Sequence, residues 1–212
     1  MSAQRPFVLC LTGSLGMGKS RTTMFFAEEG VPVHDSDAAV HALYEGEAAA
    51  LIERAFPGTT VDGKVDRNKL SGKVVGDAAA LARLEAIVHP LVAAAREKFL
   101  AEAQARGAPV VLLDVPLLFE TGAQSGCDAV VVVSAPPELQ RRRAFKRPGM
   151  TEEKFVALLG KQMPDAEKRR RADFVVDTSQ SFEHSRAQVR DILRAVAKLR
   201  ASAGDSPGPL EA

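Results

Sequence analysis

The chain has 212 residues, 46% hydrophobic and 26% charged, which suits one α/β domain with small insertions and a sizeable buried core. Its net charge of +1 gives no basis for bulk attraction to nucleic acid or an anionic membrane. Its two cysteines, Cys10 and Cys127, read as small buried hydrophobes with neither metal-ligand spacing nor a disulfide framework.

The first element follows within a few residues of Met1, so no signal peptide is expected. No apolar stretch approaches membrane-spanning length, and the expected location is the cytoplasm. Phe7-Val-Leu-Cys-Leu-Thr12 is a short apolar run, as expected for a strand covered on both faces. Gly13-Ser-Leu-Gly-Met-Gly-Lys19-Ser20 then spells the phosphate-binding P-loop, G-x-x-x-x-G-K-[ST], and Arg21 to Glu29 reads as a helix halted by Gly30. Strand, glycine-rich turn and helix N-terminus are the setting this motif requires. In it, Gly13, Gly16 and Gly18 let successive N–H groups converge on one anion, and the helix dipole points the same way. Lys19 would meet the outer phosphates, and the Ser20 hydroxyl would ligate Mg²⁺. The nucleotide-binding residues are therefore expected to be Gly13, Ser14, Leu15, Gly16, Met17, Gly18, Lys19, Ser20 and Arg21.

Val31-Pro-Val-His34 reads as a second strand, followed at once by Asp35-Ser36-Asp37. In open α/β sheets ligands bind at the carboxyl ends of strands, where both this acidic pair and the P-loop fall. Asp37 can accept the proton of an attacking hydroxyl, with Asp35 supporting it. The plain alternative is that Asp35 or Ser36 caps the following helix. From about Asp35 to Arg106 there is almost no convincing strand. Ala38 to Ala55 and Ala78 to Gln104 are helical in composition, divided by turn signals at Pro57-Gly58 and Asp62-Gly63. His89 lies among aliphatic residues, where a structural role is the commoner reading.

Pro109-Val-Val-Leu-Leu-Asp114 and Asp128-Ala-Val-Val-Val-Val-Ser134 are further strands, and Phe174-Val-Val-Asp177 a fifth. Asp114 ends its run as a Walker B acid does, meeting Mg²⁺ directly or through water. No second acid follows it to position a hydrolytic water, and no N-K-x-D guanine signature occurs. Pro136 to Ala172 is helical and strongly basic, interrupted at Pro148-Gly149, and suits a mobile lid over phosphates. Its clusters are Arg141, Arg142, Arg143, Lys146 and Arg147, then Lys168 to Arg171. Residues 201–212 are Ser/Gly/Pro-rich and expected to be disordered.

From about Phe7 to Leu199 the chain resembles the dephospho-coenzyme A kinase family. The likeness rests on an ordered set of blocks: the P-loop, Gly30 to Asp37, and Leu84-Glu-Ala-Ile-Val-His-Pro-Leu91. Asp114-Val-Pro-Leu-Leu-Phe-Glu120, Gln140 to Arg143 with Arg147, and Gln162-Met-Pro through Asp177 complete it. Ser14 and Met17 depart from the Gly and Ser usual in that family's loop. The resemblance implies a three-layer αβα P-loop kinase fold with a five-stranded parallel sheet. On this reading residues 1–200 form one domain, with a helical acceptor-binding insertion at about 38–106 and a helical lid at about 136–172. It further implies that ATP, with Mg²⁺, phosphorylates the ribose 3′-hydroxyl of dephospho-coenzyme A, the last step of coenzyme A synthesis. By similarity Asp37 is the base, Lys19, Arg143 and Arg147 serve the transferring phosphate, and Asp35, Asp37 and His89 meet the acceptor. Ser20 and Asp114 would hold the metal. Both substrates are small molecules, and no obligate protein partner is implied. A kinase for a nucleoside, nucleotide or shikimate-like acceptor and a non-catalytic nucleotide switch are the alternatives.

Overall fold

The computed structural model describes residues 4–204. Its main sheet has five strands: β1 (Phe7–Thr12), β2 (Val33–Asp35), β5 (Val110–Asp114), β6 (Ala129–Ser134) and β7 (Phe174–Asp177). They lie in the order β2-β5-β1-β6-β7. β1 pairs in parallel with β5 (Leu9 opposite Leu112) and with β6 (Leu11 opposite Val131), and β6 pairs in parallel with β7. β5 and β6 are buried at every position, as their β-branched runs predict for central parallel strands. Pro32 cannot donate to the ladder, but its carbonyl accepts from Leu112 N–H at 2.9 Å.

The described chain forms two compact units, residues 34–102 and the described residues before and after them. In the first-and-last unit, α1 (Lys19–Glu28) and α9 (Phe182–Gly204) pack on the sheet. Phe25 and Phe26 from α1 meet Val189, Ile192 and Val196 from α9 and the inward residues Leu9, Leu11, Val131 and Val133. Each such fully buried side chain contributes roughly 1.5–3 kcal/mol relative to an exposed one. Ala201 to Gly204 continue α9, contrary to the disorder expected from residue 201 onward, because the periodic face carries the helix past Val196. The rest of that expected tail, 205–212, lies outside the described residues.

The cysteines are a second correction. Cys10 and Cys127 form a disulfide, with Cα atoms 5.8 Å apart. The sequence separation of 117 residues hides what parallel pairing of β1 and β6 brings together.

Residues 34–102 hold α2 (Ser36–Glu45), α3 (Glu47–Ala55), α4 (Arg67–Val74) and most of α5 (Ala78–Ala105). Leu43, Ile52, Phe56, Leu70, Leu84 and Val88 make their core. Between α3 and α4 lies a hairpin of β3 (Thr60–Val61) and β4 (Lys64–Val65), which the sequence reading missed. Each strand has only two residues, too short to show alternation. Its turn falls on Asp62-Gly63, at φ +51° and +75°. Glu53 secures the approach by accepting from Gly58, Thr59 and Thr60 N–H, which holds its carboxyl below the ordinary carboxylate pKa. α5 corrects the expectation about apolar length, since by length and composition it is long and apolar enough to cross a membrane. Ala80, Leu84 and Val88 of this helix are buried in the core just described, while Arg83, Glu85 and His89 are exposed.

Candidate active site

The P-loop joins β1 to α1, and its glycines are required for two different reasons. Gly16 and Gly18 have φ of +79° and +98°, the left-handed region that other residues avoid. A Cβ on Gly16 would also stand 2.5 Å from the Gln140 carbonyl of α6 (Pro137–Ala144). Gly13 is not at positive φ, contrary to expectation. It is needed because a Cβ there would lie 2.9 Å from Val133 O.

The start of α1 lacks both a side-chain cap and an acid in its first turn, whereas α3, α6 and α8 (Asp165–Arg170), also without side-chain caps, each carry an acid there. Asp35, Asp66 and Thr151 cap α2, α4 and α7 (Glu152–Leu159) by accepting N–H bonds with their side chains. The N-cap of α1 is Gly18, which makes no side-chain cap bond, and the first turn carries no acid. Its first N–H groups and positive dipole end are thus open to an external anion.

Lys19 Nζ lies 2.5 Å from Asp114 Oδ1, and Thr23 Oγ1 donates to Asp114 Oδ2 at 2.7 Å. Asp114 is 3% exposed, so it depends on both partners. Ser20 and Arg21 are exposed at the loop end. Leu15 and Met17 are pinned through their backbones. Leu15 N–H donates to Gln162 Oε1 at 3.0 Å, and Gln140 Nε2 donates to Leu15 O at 2.9 Å. Thr178 Oγ1 donates to Met17 O at 2.7 Å. Met17 itself is buried, and Ser14 keeps a negative φ, so neither departure from the family's loop distorts the turn.

Arg143 on α6 does not swing free as a lid cation. Its guanidinium donates to Thr178 Oγ1 at 2.8 Å and to Thr178 O at 2.7 Å. Burial, then the nearby Arg142 charge, lowers its pKa from the ordinary arginine value. It lines a cavity of about 190 Å³ with Gly18, Arg21, Phe25, Thr178 and Phe182, in which Arg21 lies 4.8 Å from the Phe182 ring. Arg147, just beyond α6, is exposed, with no bond to its side chain among the described residues.

The remaining expected site residues belong to residues 34–102. Asp35 is a helix cap: its Oδ1 accepts from Asp37 N–H at 2.9 Å and Ala38 N–H at 3.0 Å. The capping role weighed for it is present in the structure, where Asp35 fixes the start of α2 through Oδ1. Asp37 is exposed in the first turn of α2, and His89 is exposed on α5. Neither side chain has a bond among the described residues.

Sequence reasoning missed Thr23, Thr178, Gln140 and Gln162 as parts of the loop's support. Thr23 stands one helical turn after Lys19, which is the signal available for it. The two glutamines lay inside quoted blocks without an assigned role.

The fold and geometry have counterparts among known proteins. Residues 7–184 match the family model described as dephospho-CoA kinase. Dephospho-CoA kinase of Bradyrhizobium diazoefficiens is 63% identical over 192 residues, covering 91% of this chain and 96% of that one. That of Agrobacterium fabrum is 58% identical, covering 88% and 96%. The crystal structure of TT1252 from Thermus thermophilus aligns with a TM-score of 0.78 at 35% identity, covering 91% of this chain and 98% of that one. Dephospho-CoA kinase from Campylobacter jejuni aligns at 0.60 and 23% identity over 89% and 96%, a likeness of fold. An Acinetobacter baumannii shikimate kinase at 0.52 and 18% identity over 91% and 94% likewise shares the α/β kinase fold. The uncapped P-loop, with Lys19 paired to buried Asp114, thus lies inside a match spanning residues 7–184, and the chain belongs to the dephospho-CoA kinase family.

Proposed function

We propose that this chain transfers the terminal phosphoryl group of ATP to the ribose 3′-hydroxyl of dephospho-coenzyme A. Family membership supports the acceptor. The observation that carries the chemistry is the α1 start, which keeps its amides uncapped beside the pair of half-buried Lys19 with buried Asp114.

Phosphoryl transfer passes through a loose transition state, so alignment and charge neutralisation supply most of the acceleration. The P-loop amides hold the phosphate chain, and Lys19 turns part of its charge from Asp114 toward the outer phosphates. The cavity edged by Gly18, Arg143 and Phe182 suits the flat base of the nucleotide, with a guanidinium and a ring to stack on it. Arg147 brings its uncommitted charge to the transferring group. Asp37, with its carboxylate unbonded, orients the 3′-hydroxyl and takes its proton, while Asp35 sets the turn from which it projects. His89 serves the acceptor side.

Ser20 and Asp114 are hard oxygen donors and fit Mg²⁺, which keeps several waters when it binds phosphates. Since both Asp114 oxygens are already used by Lys19 and Thr23, Asp114 would hold the ion through water. When bound, the ion neutralises charge on the phosphates. We assign the activity to the cytoplasm, where ATP is at hand.

The test is an acceptor panel with ATP and Mg²⁺, read by ADP release and product mass. Dephospho-coenzyme A should gain one phosphate and outrun nucleosides, nucleotides and shikimate. Nucleotide binding without acceptor-dependent ADP release would leave only a switch.

A further inference from the structure

Both backbone polar groups of Leu15 are held by side chains remote in sequence. Its N–H donates to Gln162 and its carbonyl accepts from Gln140. Each glutamine is itself fixed. Gln140 is 8% exposed on α6, whose backbone carbonyl at the same residue lies against Gly16. Gln162 closes the end of α7 through its N–H to Leu159 O at 2.9 Å. The next N–H, of Met163, donates to Glu120 Oε1 at 2.7 Å. Glu120 in turn lies 2.9 Å from the ammonium of Lys168, on α8 (Asp165–Arg170), whose side chain is fully buried. A chain of contacts therefore runs from a buried ion pair to the middle of the phosphate loop.

A loop whose amides must converge on one anion gains from being held in that shape before the anion arrives. Leu15 sits between Gly13 and the left-handed Gly16, where the backbone has most freedom to collapse. We propose that Gln162 and Gln140 are positioning residues for nucleotide binding, acting on the phosphates through Leu15, with Glu120 and Lys168 anchoring Gln162. This rests on the reading of the P-loop as the ATP phosphate cradle. The same bonds make the segment from α6 to α8 sensitive to the state of the loop, since any shift of Gln162 reaches Leu15 directly.

The experiment compares Gln162→Met, Gln140→Met and the double variant in the full chain. ATP affinity is measured by calorimetry, with KM, kcat and Tm alongside. Gln162→Met keeps the side-chain length but removes the acceptor. It should weaken ATP binding and raise KM for ATP about three- to tenfold, the range of one lost neutral hydrogen bond, with kcat and Tm little changed. Because both glutamines act on one residue, the double variant should lose less than the product of the single losses. Gln162→Asn, one methylene too short to reach the amide, repeats the test with a milder change if the Met variant folds poorly. Unmodified chain that binds ATP, together with a Gln162→Met variant that binds it equally well, would overturn this inference alone. So would a lowered Tm with unchanged affinity, or single losses that multiply independently. Unmodified chain that fails to bind ATP would overturn the cradle reading and this inference with it.

Discussion

Lys19 and Arg143 stand at the phosphate loop already bonded, to Asp114 and to Thr178, whereas Asp37 and His89 in residues 34–102 present exposed side chains with no described bonds. The difference follows what each set is proposed to meet. A phosphate chain carries dense charge, and groups fixed in advance neutralise it without reorganising at the moment of reaction. A carboxylate that must accept a proton from an arriving hydroxyl cannot be occupied by another donor. Asp35 illustrates occupation: as the cap of α2 its Oδ1 is committed to two backbone amides, whereas Asp37, the residue proposed as base, has no described side-chain bond.

Substitutions on the two sides should separate them. Lys19→Ala removes the cation from both Asp114 and the phosphates. It should lower kcat/KM by about 10³–10⁵-fold, the range for losing a positive group from a phosphoryl-transfer site. A coupled ADP assay that retained a tenth of wild-type activity would contradict this. Asp37→Asn should reduce kcat by about 10²–10⁴-fold with ATP affinity intact. If calorimetry showed ATP binding lost together with turnover, Asp37 would belong with the committed residues instead.

Lys168→Met sharpens the comparison from the structural end. Breaking a buried pair leaves Glu120 uncompensated and should cost about 3–5 kcal/mol in denaturant unfolding. Burial pushes the Glu120 carboxyl up, but the Lys168 ammonium and the Met163 N–H outweigh it and hold the pKa below its ordinary 4.5. A depressed folded pKa gives stability that is present above about 4.5 and lost as pH falls below it. Removing Lys168 takes away the main group that holds this pKa down, so the variant should lose less stability as pH falls below about 4.5 than the original does. Parallel pH profiles for the two proteins would remove the pair from this role. Arg147→Ala should have the smallest effect, about tenfold in kcat, because one exposed charge is lost among several basic neighbours. Its stability should stay within about 0.5 kcal/mol of the original, as for surface substitutions generally. Normal kcat with lowered Tm would make Arg147 structural.

Much of this was legible without coordinates. Apolar β-branched runs marked the five main strands, and the glycine-lysine spacing marked the loop, because both signals are local and periodic. The β3–β4 hairpin escaped notice because two residues per strand carry no period. Asp35 was readable in two ways, since a cap and a supporting acid need the same residue at the same place. Thr178 and Gln162 carry no local signature at all. Each reaches the loop across more than a hundred residues.

Amino-acid order alone determined that a strand, a glycine turn and a helix would build an anion cradle, and its ordered blocks pointed to the dephospho-CoA kinase family. Backbone geometry at Gly16 and Gly18, set by neighbours in the chain, suffices for that. The pairing of Cys10 with Cys127, the seating of Lys19 on Asp114 and the grip of two glutamines on Leu15 were decided only by the tertiary structure. Parallel strands bring together residues separated by long crossovers, so the partner of a buried polar group is set by sheet order and register, which no local pattern encodes.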